Sequence, residues 1–211
     1  MTGDGEMYTI FADETTTRHL LKGYEERVSI ASMNSPVKTV ISGDKEAVNK
    51  VVSQLDQEQI EYKKINVSIA SHSPMMIPMI DEFRKVCSSV HYHEARIPVV
   101  SNINAEITSD RIANAEYWCD HILSPVEFSK SILTCVNSGN TIFVDLGPKP
   151  TSLSMAQETI QSHDLTWIAS FKKNFTAWQT LNEGLARLFV NGVQVNWEGF
   201  HNEFTGSKIS L

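Results

Sequence analysis

The sequence predicts a mixed α/β chain in two parts. Residues 5–67 read as a small α+β unit with the ferredoxin-like order β-α-β-β-α-β, and residues 68–170 as part of a parallel-sheet α/β core. A helical segment follows over residues 171–211. Three observations carry this reading. Short runs rich in β-branched and aromatic residues alternate with apolar stripes at helical spacing. Turn sequences separate these runs. In the second part the runs Ile97–Asn102 and Thr141–Leu146 are nearly all apolar, the pattern of strands buried on both faces of a parallel sheet.

The elements follow in order. Met7–Phe11 is a short strand, and Thr15–Tyr24 carries Leu20, Leu21 and Tyr24 on a helical stripe. Val28–Met33 and Val37–Ser42 are strands joined by the turn Asn34-Ser35-Pro36. Asp44 is placed to cap a helix that buries Val48, Val51, Val52 and Leu55, and Ile60–Val67 returns as a strand. Ser73-Pro74 then starts a helix running to about Val90, because Ser caps well and Pro at the first position lacks only an unneeded N–H. A helix is expected over Ala113–Ile122. Ser124-Pro125-Val126-Glu127 has the form of a capping box opening another helix to Asn137. Thr151–Gln161 is a further helix, Leu165–Ala169 a short strand, and Phe175, Trp178, Leu181, Leu185, Leu188 and Phe189 stripe a final helix. Two or three strands are too few for a covered parallel sheet, so the second part reads as a portion of one.

Composition narrows the function classes. The 211 residues are 41% hydrophobic and 20% charged, which excludes collagen-like, low-complexity and largely disordered chains. A net charge of −7 offers no general field for nucleic acid or for an anionic membrane. No apolar run approaches the roughly 20 residues that cross a bilayer, and the acidic N-terminus is not a secretory signal. Cys87, Cys119 and Cys135 are odd in number and widely spaced, which suits free thiols in a reducing compartment. A cytoplasmic protein is expected, with neither nucleic acid nor membrane as partner.

His72 is the residue best placed for chemistry. It lies between an apolar strand and a helix start, where open α/β sheets bind ligands. An imidazole there can act as general base toward a hydroxyl and then as acid toward the leaving group. Read locally, it is more often only the residue before a helix cap. His91-Tyr92-His93 has metal-compatible spacing but no third ligand nearby, so no metal site is expected.

The stretch Ser68-Ile69-Ala70-Ser71-His72-Ser73-Pro74-Met75-Met76 resembles the histidine motif of the acyltransferase domains of modular polyketide synthases, relatives of malonyl-CoA:acyl-carrier-protein transacylase. Further stretches fit in order. Val28–Gly43 resembles the small ferredoxin-like subdomain of that family, and Arg96–Asn102 its next core strand. Ala115–Trp118, His121 and Pro125–Phe128 resemble its "YW…H…PV.F" element, and Phe143–Pro150 its "GPHP" turn. Trp178–Phe200 with Lys208–Leu211 resembles the linker that follows the domain.

The resemblance implies an α/β-hydrolase-like core and a two-step acyl transfer. A serine on a GxSxG elbow takes a malonyl-type unit from acyl-CoA, and the phosphopantetheine thiol of an acyl carrier protein collects it. It implies His72 as general base and the main-chain carbonyl of His121 as the group orienting its ring. Ile69, Ala70 and Ser71 correspond to a substrate-binding tripeptide, often His-Ala-Phe for malonyl and Tyr-Ala-Ser for methylmalonyl units. The small Ser71 favours a substituted malonyl. No bound cofactor is implied; acyl-CoA and the carrier protein are substrates, and ketosynthase and other synthase domains are partners.

None of the ten glycines begins a GxSxG pattern. The chain is therefore expected to be the C-terminal part of such a domain, with the nucleophile on a missing N-terminal part, and to be inactive alone. A non-catalytic remnant serving as a docking or scaffold domain is the alternative. In either case the core strands are expected to expose apolar surface.

Overall fold

The computed structural model describes residues 4–67, 69–162 and 164–202. The chain divides into two compact units, Met1–Asn140 with Met155–Gln161, and Thr141–Ser154 with Ser162–Leu211.

The first unit is built on strand β1 (Gly5–Ile10), helix α1 (Glu14–Leu20), strands β2 (Val28–Ser35) and β3 (Lys38–Asp44), helix α2 (Lys45–Glu58) and strand β4 (Tyr62–Ile65). The four strands form one antiparallel sheet in the order β2-β3-β1-β4. Period-2 side-chain alternation decides which face is covered: Glu6, Tyr8 and Ile10 of β1 are buried and their neighbours are not. Against that face α2 sets Val48, Val51 and Leu55, all fully buried with Ile10 and Ile41. Each helix starts on a side-chain cap. Asp13 accepts from the Thr16 N–H at 2.7 Å, and Asp44 from the Ala47 N–H at 3.1 Å. A Cβ on Gly43 would run into the Arg27 carbonyl, so β2 and β3 approach closely only because that position is glycine.

Beyond β4 the same unit holds a 3₁₀ segment (Pro74–Met79), helix α3 (Ile80–Ser88), strands β5 (Val99–Val100) and β6 (Ile107–Thr108), and helices α4 (Ala115–Leu123) and α5 (Phe128–Asn137). Three expectations need correction here. The helix expected from Ser73 begins as 3₁₀, with Pro78 inside it unable to donate an α-helical bond, and turns α only at Ile80. Ile97–Asn102 is not a strand buried on both faces. Only Val99 and Val100 pair, antiparallel to β6, and Ile97 is 79% exposed. Ser124 does not cap α5; it ends α4 in extended backbone, and Glu127 opens α5 without a side-chain bond.

The second unit contains strand β7 (Ile142–Asp145), strand β8 (Thr166–Ala169), helix α7 (Ala177–Val190) and helix α8 (Trp197–His201). Helix α6 (Thr151–Thr159) bridges the boundary in sequence. β7 and β8 pair in parallel, and the Phe143 and Trp167 rings stack at 4.7 Å between centroids. Helix α7 opens on a capping box of Thr176 and Gln179, and Gly184 lets it approach Ile168 of β8. Leu146, just past β7, is 82% exposed. The expected closing stretch Lys208–Leu211 lies outside the described residues, as does Ser68 at the start of the histidine motif.

Candidate active site

Residues 69–74 leave the end of β4 and turn into the 3₁₀ segment, and His72 sits at the turn with φ 57°. A left-handed conformation costs a non-glycine residue about 1–2 kcal/mol, so something must hold it. Three contacts do. The Ser73 hydroxyl donates to the Ala70 carbonyl at 2.6 Å and accepts from the Met75 N–H at 3.3 Å. The Ser29 hydroxyl of β2 donates to the His72 carbonyl at 2.6 Å. Below the turn, a Cβ on Gly5 would lie 2.5 Å from the Ala70 side chain, so the loop rests directly on the start of β1.

The His72 ring is fixed at one nitrogen. Its Nδ1 lies 2.9 Å from the Ser124 carbonyl and 3.1 Å from that of His121. Two acceptors require a proton on Nδ1, which leaves Nε2 of the neutral ring as the acceptor. Nε2 has no partner among the described residues, and His72 lines an open cleft of about 760 Å³ with Met7, Asn66, Val67, Ile69 and Ser71. A ring held this way can take a proton from a group entering the cleft.

The His121 side chain packs edge-on to His72 at 5.6 Å and lies 6.0 Å from Tyr117 and 5.9 Å from Trp118. Burial, and then the neighbouring His72, push its pKa below the usual histidine range. Tyr117 is tied in turn to Ser101, with 3.0 Å between their hydroxyl oxygens.

The residues expected from sequence are thus placed unevenly. His72 and the His121 carbonyl meet, and Ile69 and Ser71 are on the cleft wall. Ala70 is buried and lies under the turn instead. Three contributors escaped the sequence reading: the Ser124 carbonyl, the Ser29 hydroxyl and the cleft wall of Met7, Asn66 and Val67. Burial raises the pKa of the Cys119 and Cys135 thiols, which makes them poor nucleophiles. No group of three metal-ligating side chains occurs among the described residues, and no helix there is long and apolar enough to cross a membrane.

The profile of the acyl transferase domain family matches residues 1–195. The chain belongs to this family. Among curated proteins it is 30% identical over 211 residues to polyketide synthase GfsA of Streptomyces halstedii, covering 98% of this chain and 3% of that protein. It is 32% identical over 199 residues to mycoketide-CoA synthase of Mycobacterium tuberculosis, covering 94% of this chain and 5% of that protein. Among solved structures, the acyltransferase domain from the second module of the salinomycin polyketide synthase superposes with a TM-score of 0.87 at 30% identity, over 96% of this chain and 49% of that one. Malonyl-CoA:acyl carrier protein transacylase of Xanthomonas oryzae shares the fold, with a TM-score of 0.77 at 21% identity over 87% of this chain and 58% of that one. The chain thus spans a small part of the synthases it matches and about half of the solved acyltransferase domain.

Proposed function

We propose that this chain is the histidine-bearing part of a polyketide synthase acyltransferase, one that moves a malonyl-type extender from CoA to an acyl carrier protein through a seryl acyl-enzyme. The observation that carries the reading is the His72 ring, clamped at Nδ1 by two carbonyls while the residue lines the cleft. In the proposed reaction Nε2 takes the proton of the serine as it attacks the thioester, and returns it to the departing CoA thiol. In the second half the same nitrogen takes the proton of the carrier thiol, and returns it to the serine. The Nδ1 clamp keeps the ring in the tautomer both halves need.

The residues that precede His72 bear on the extender. Ile69 and Ser71 line the cleft, and a small Ser71 leaves room for an α-substituent, which supports a substituted malonyl unit. On this reading residues 5–67 are the ferredoxin-like subdomain, and β7 and β8 are strands of the larger core. These 211 residues hold no GxSxG, so the proposed nucleophile is supplied by a segment other than these residues. The lack of that motif is also what favours the second reading, a non-catalytic acyltransferase remnant in a synthase.

One experiment separates the two. The chain is incubated with radiolabelled malonyl-CoA and methylmalonyl-CoA, alone and together with a separately produced acyltransferase segment that carries a GxSxG serine. The proposal expects no denaturation-resistant label alone and label on the added serine in the mixture. Label on this chain alone, or none in a mixture shown to associate, contradicts it.

A further inference from the structure

The main-chain bonding at the end of α4 singles out a residue with no side-chain role. In an α-helix each carbonyl accepts from the N–H four residues on. The Ser124 N–H keeps to that ladder and donates to the Asp120 carbonyl at 2.9 Å. The next rung would tie the N–H of residue 125 to the carbonyl of His121. Residue 125 is proline and has no N–H, so that carbonyl is left open to His72 Nδ1. Proline also crowds the residue before it out of helical backbone, and Ser124 is extended at ψ 150°, where its own carbonyl comes within 2.9 Å of the same nitrogen. The following rungs are diverted as well. The Val126 N–H donates to the Ala31 carbonyl of β2 at 2.8 Å, and the Glu127 N–H to the Asn102 carbonyl at 2.8 Å. The Val126 carbonyl in turn accepts from the Met33 N–H at 2.9 Å, which pins the strap to β2.

We infer that Pro125 is a positioning residue for His72: by ending the helical ladder one rung early, it frees the His121 carbonyl and turns the Ser124 carbonyl toward the ring, making a two-acceptor cradle that selects the Nδ1–H tautomer. The cradle sits at the C-terminal end of α4 (Ala115–Leu123). The inference rests on the reading of His72 as general base. The tautomer of the ring is nonetheless measurable in this chain without any acyl transfer.

The test is nuclear magnetic resonance on the full chain with isotope-labelled histidine ring nitrogens and labelled carbonyls at His121 and Ser124. The wild-type neutral ring is expected to carry its proton on Nδ1 and to show through-bond coupling to both carbonyls. Pro125→Ala is expected to lose the coupling to His121 and to admit the Nε2–H form. N-methylalanine at 125 lacks the N–H and crowds Ser124 without the ring, and is expected to restore the wild-type pattern. In the enzyme completed with a GxSxG segment, Pro125→Ala should lower kcat about tenfold with KM unchanged. A wild-type ring protonated on Nε2, or uncoupled from His121, overturns the inference, and this holds even where the alanine variant does not fold. Identical tautomers in wild type and Pro125→Ala overturn it too, as does N-methylalanine behaving like alanine. Absence of acyl transfer with the tautomer pattern intact contradicts the functional reading instead and leaves the cradle standing.

Discussion

Replacing His72 by Ala and by Gly separates the strain at this position from the bonds its ring makes. Both substitutions remove the imidazole and leave the Ser124 and His121 carbonyls without it, so that loss cancels in the comparison. Only the backbone differs. Alanine must still adopt φ near 57°, and glycine reaches it freely. Left-handed backbone costs alanine about 1–2 kcal/mol, and glycine gives back about 0.4–1 kcal/mol through its more flexible unfolded chain. The glycine variant should therefore be the more stable by about 0.8 kcal/mol, the difference between the middles of these two ranges. With a urea slope of about 2 kcal/mol per molar, its unfolding midpoint should lie about 0.3–0.5 M higher. Equilibrium urea unfolding of the two variants reads this directly. An alanine midpoint equal to or above that of glycine would refute the claim that Ser29, Ser73 and the loop hold a strained turn.

Other expectations follow from the same contacts. Gly5→Ala drives a methyl into Ala70 beneath the histidine turn and should destabilise by about 1–3 kcal/mol, read as a lower urea midpoint. Asp44→Ala removes the cap of α2 along with the Arg27 pairing and should cost about 1 kcal/mol in the same measurement. Burial opposes ionisation of Glu6, but hydrogen bonds from Lys64 and Tyr8 outweigh it and hold its carboxyl below the usual range. A lowered folded pKa contributes stability above the unfolded value of about 4.3 that is lost as pH falls through the folded one, so Glu6→Gln should flatten the acid limb of midpoint against pH.

Much of the first sixty-odd residues was legible because each element there carries its own local signal. Tyr8 and Ile10 alternate with solvent-facing neighbours, Asp44 stands where a cap is needed, and Val48, Val51 and Leu55 recur at helical spacing. The second part was less legible because apolar runs do not say what covers them. Ile97–Asn102 has the composition of a buried strand, yet only two of its residues pair. Ser124–Glu127 has the composition of a capping box, but Pro125 ends the preceding helix, and the Val126 main chain is drawn to β2 by hydrogen bonds that local sequence does not encode. The site followed the same division. His72 before Ser73-Pro74 was visible as a motif, and its meeting with the His121 carbonyl was implied by the resemblance. The Ser29 hydroxyl is a long-range partner with no sequence signal. Pro125, four residues after His121, is the local signal for both the Ser124 and His121 carbonyls, since it lacks the N–H that would occupy the His121 carbonyl and crowds Ser124 into extended backbone.

The most direct test of the account compares acyl-enzyme formation by wild type and His72→Ala, each completed with the same GxSxG segment and mixed rapidly with labelled methylmalonyl-CoA. If the His72 imidazole accepts the serine proton, the rate of the first turnover should fall by about 10²–10⁴-fold in the alanine variant while binding of the segment is unchanged. A first-turnover rate within a few fold of wild type would contradict the role assigned to that ring.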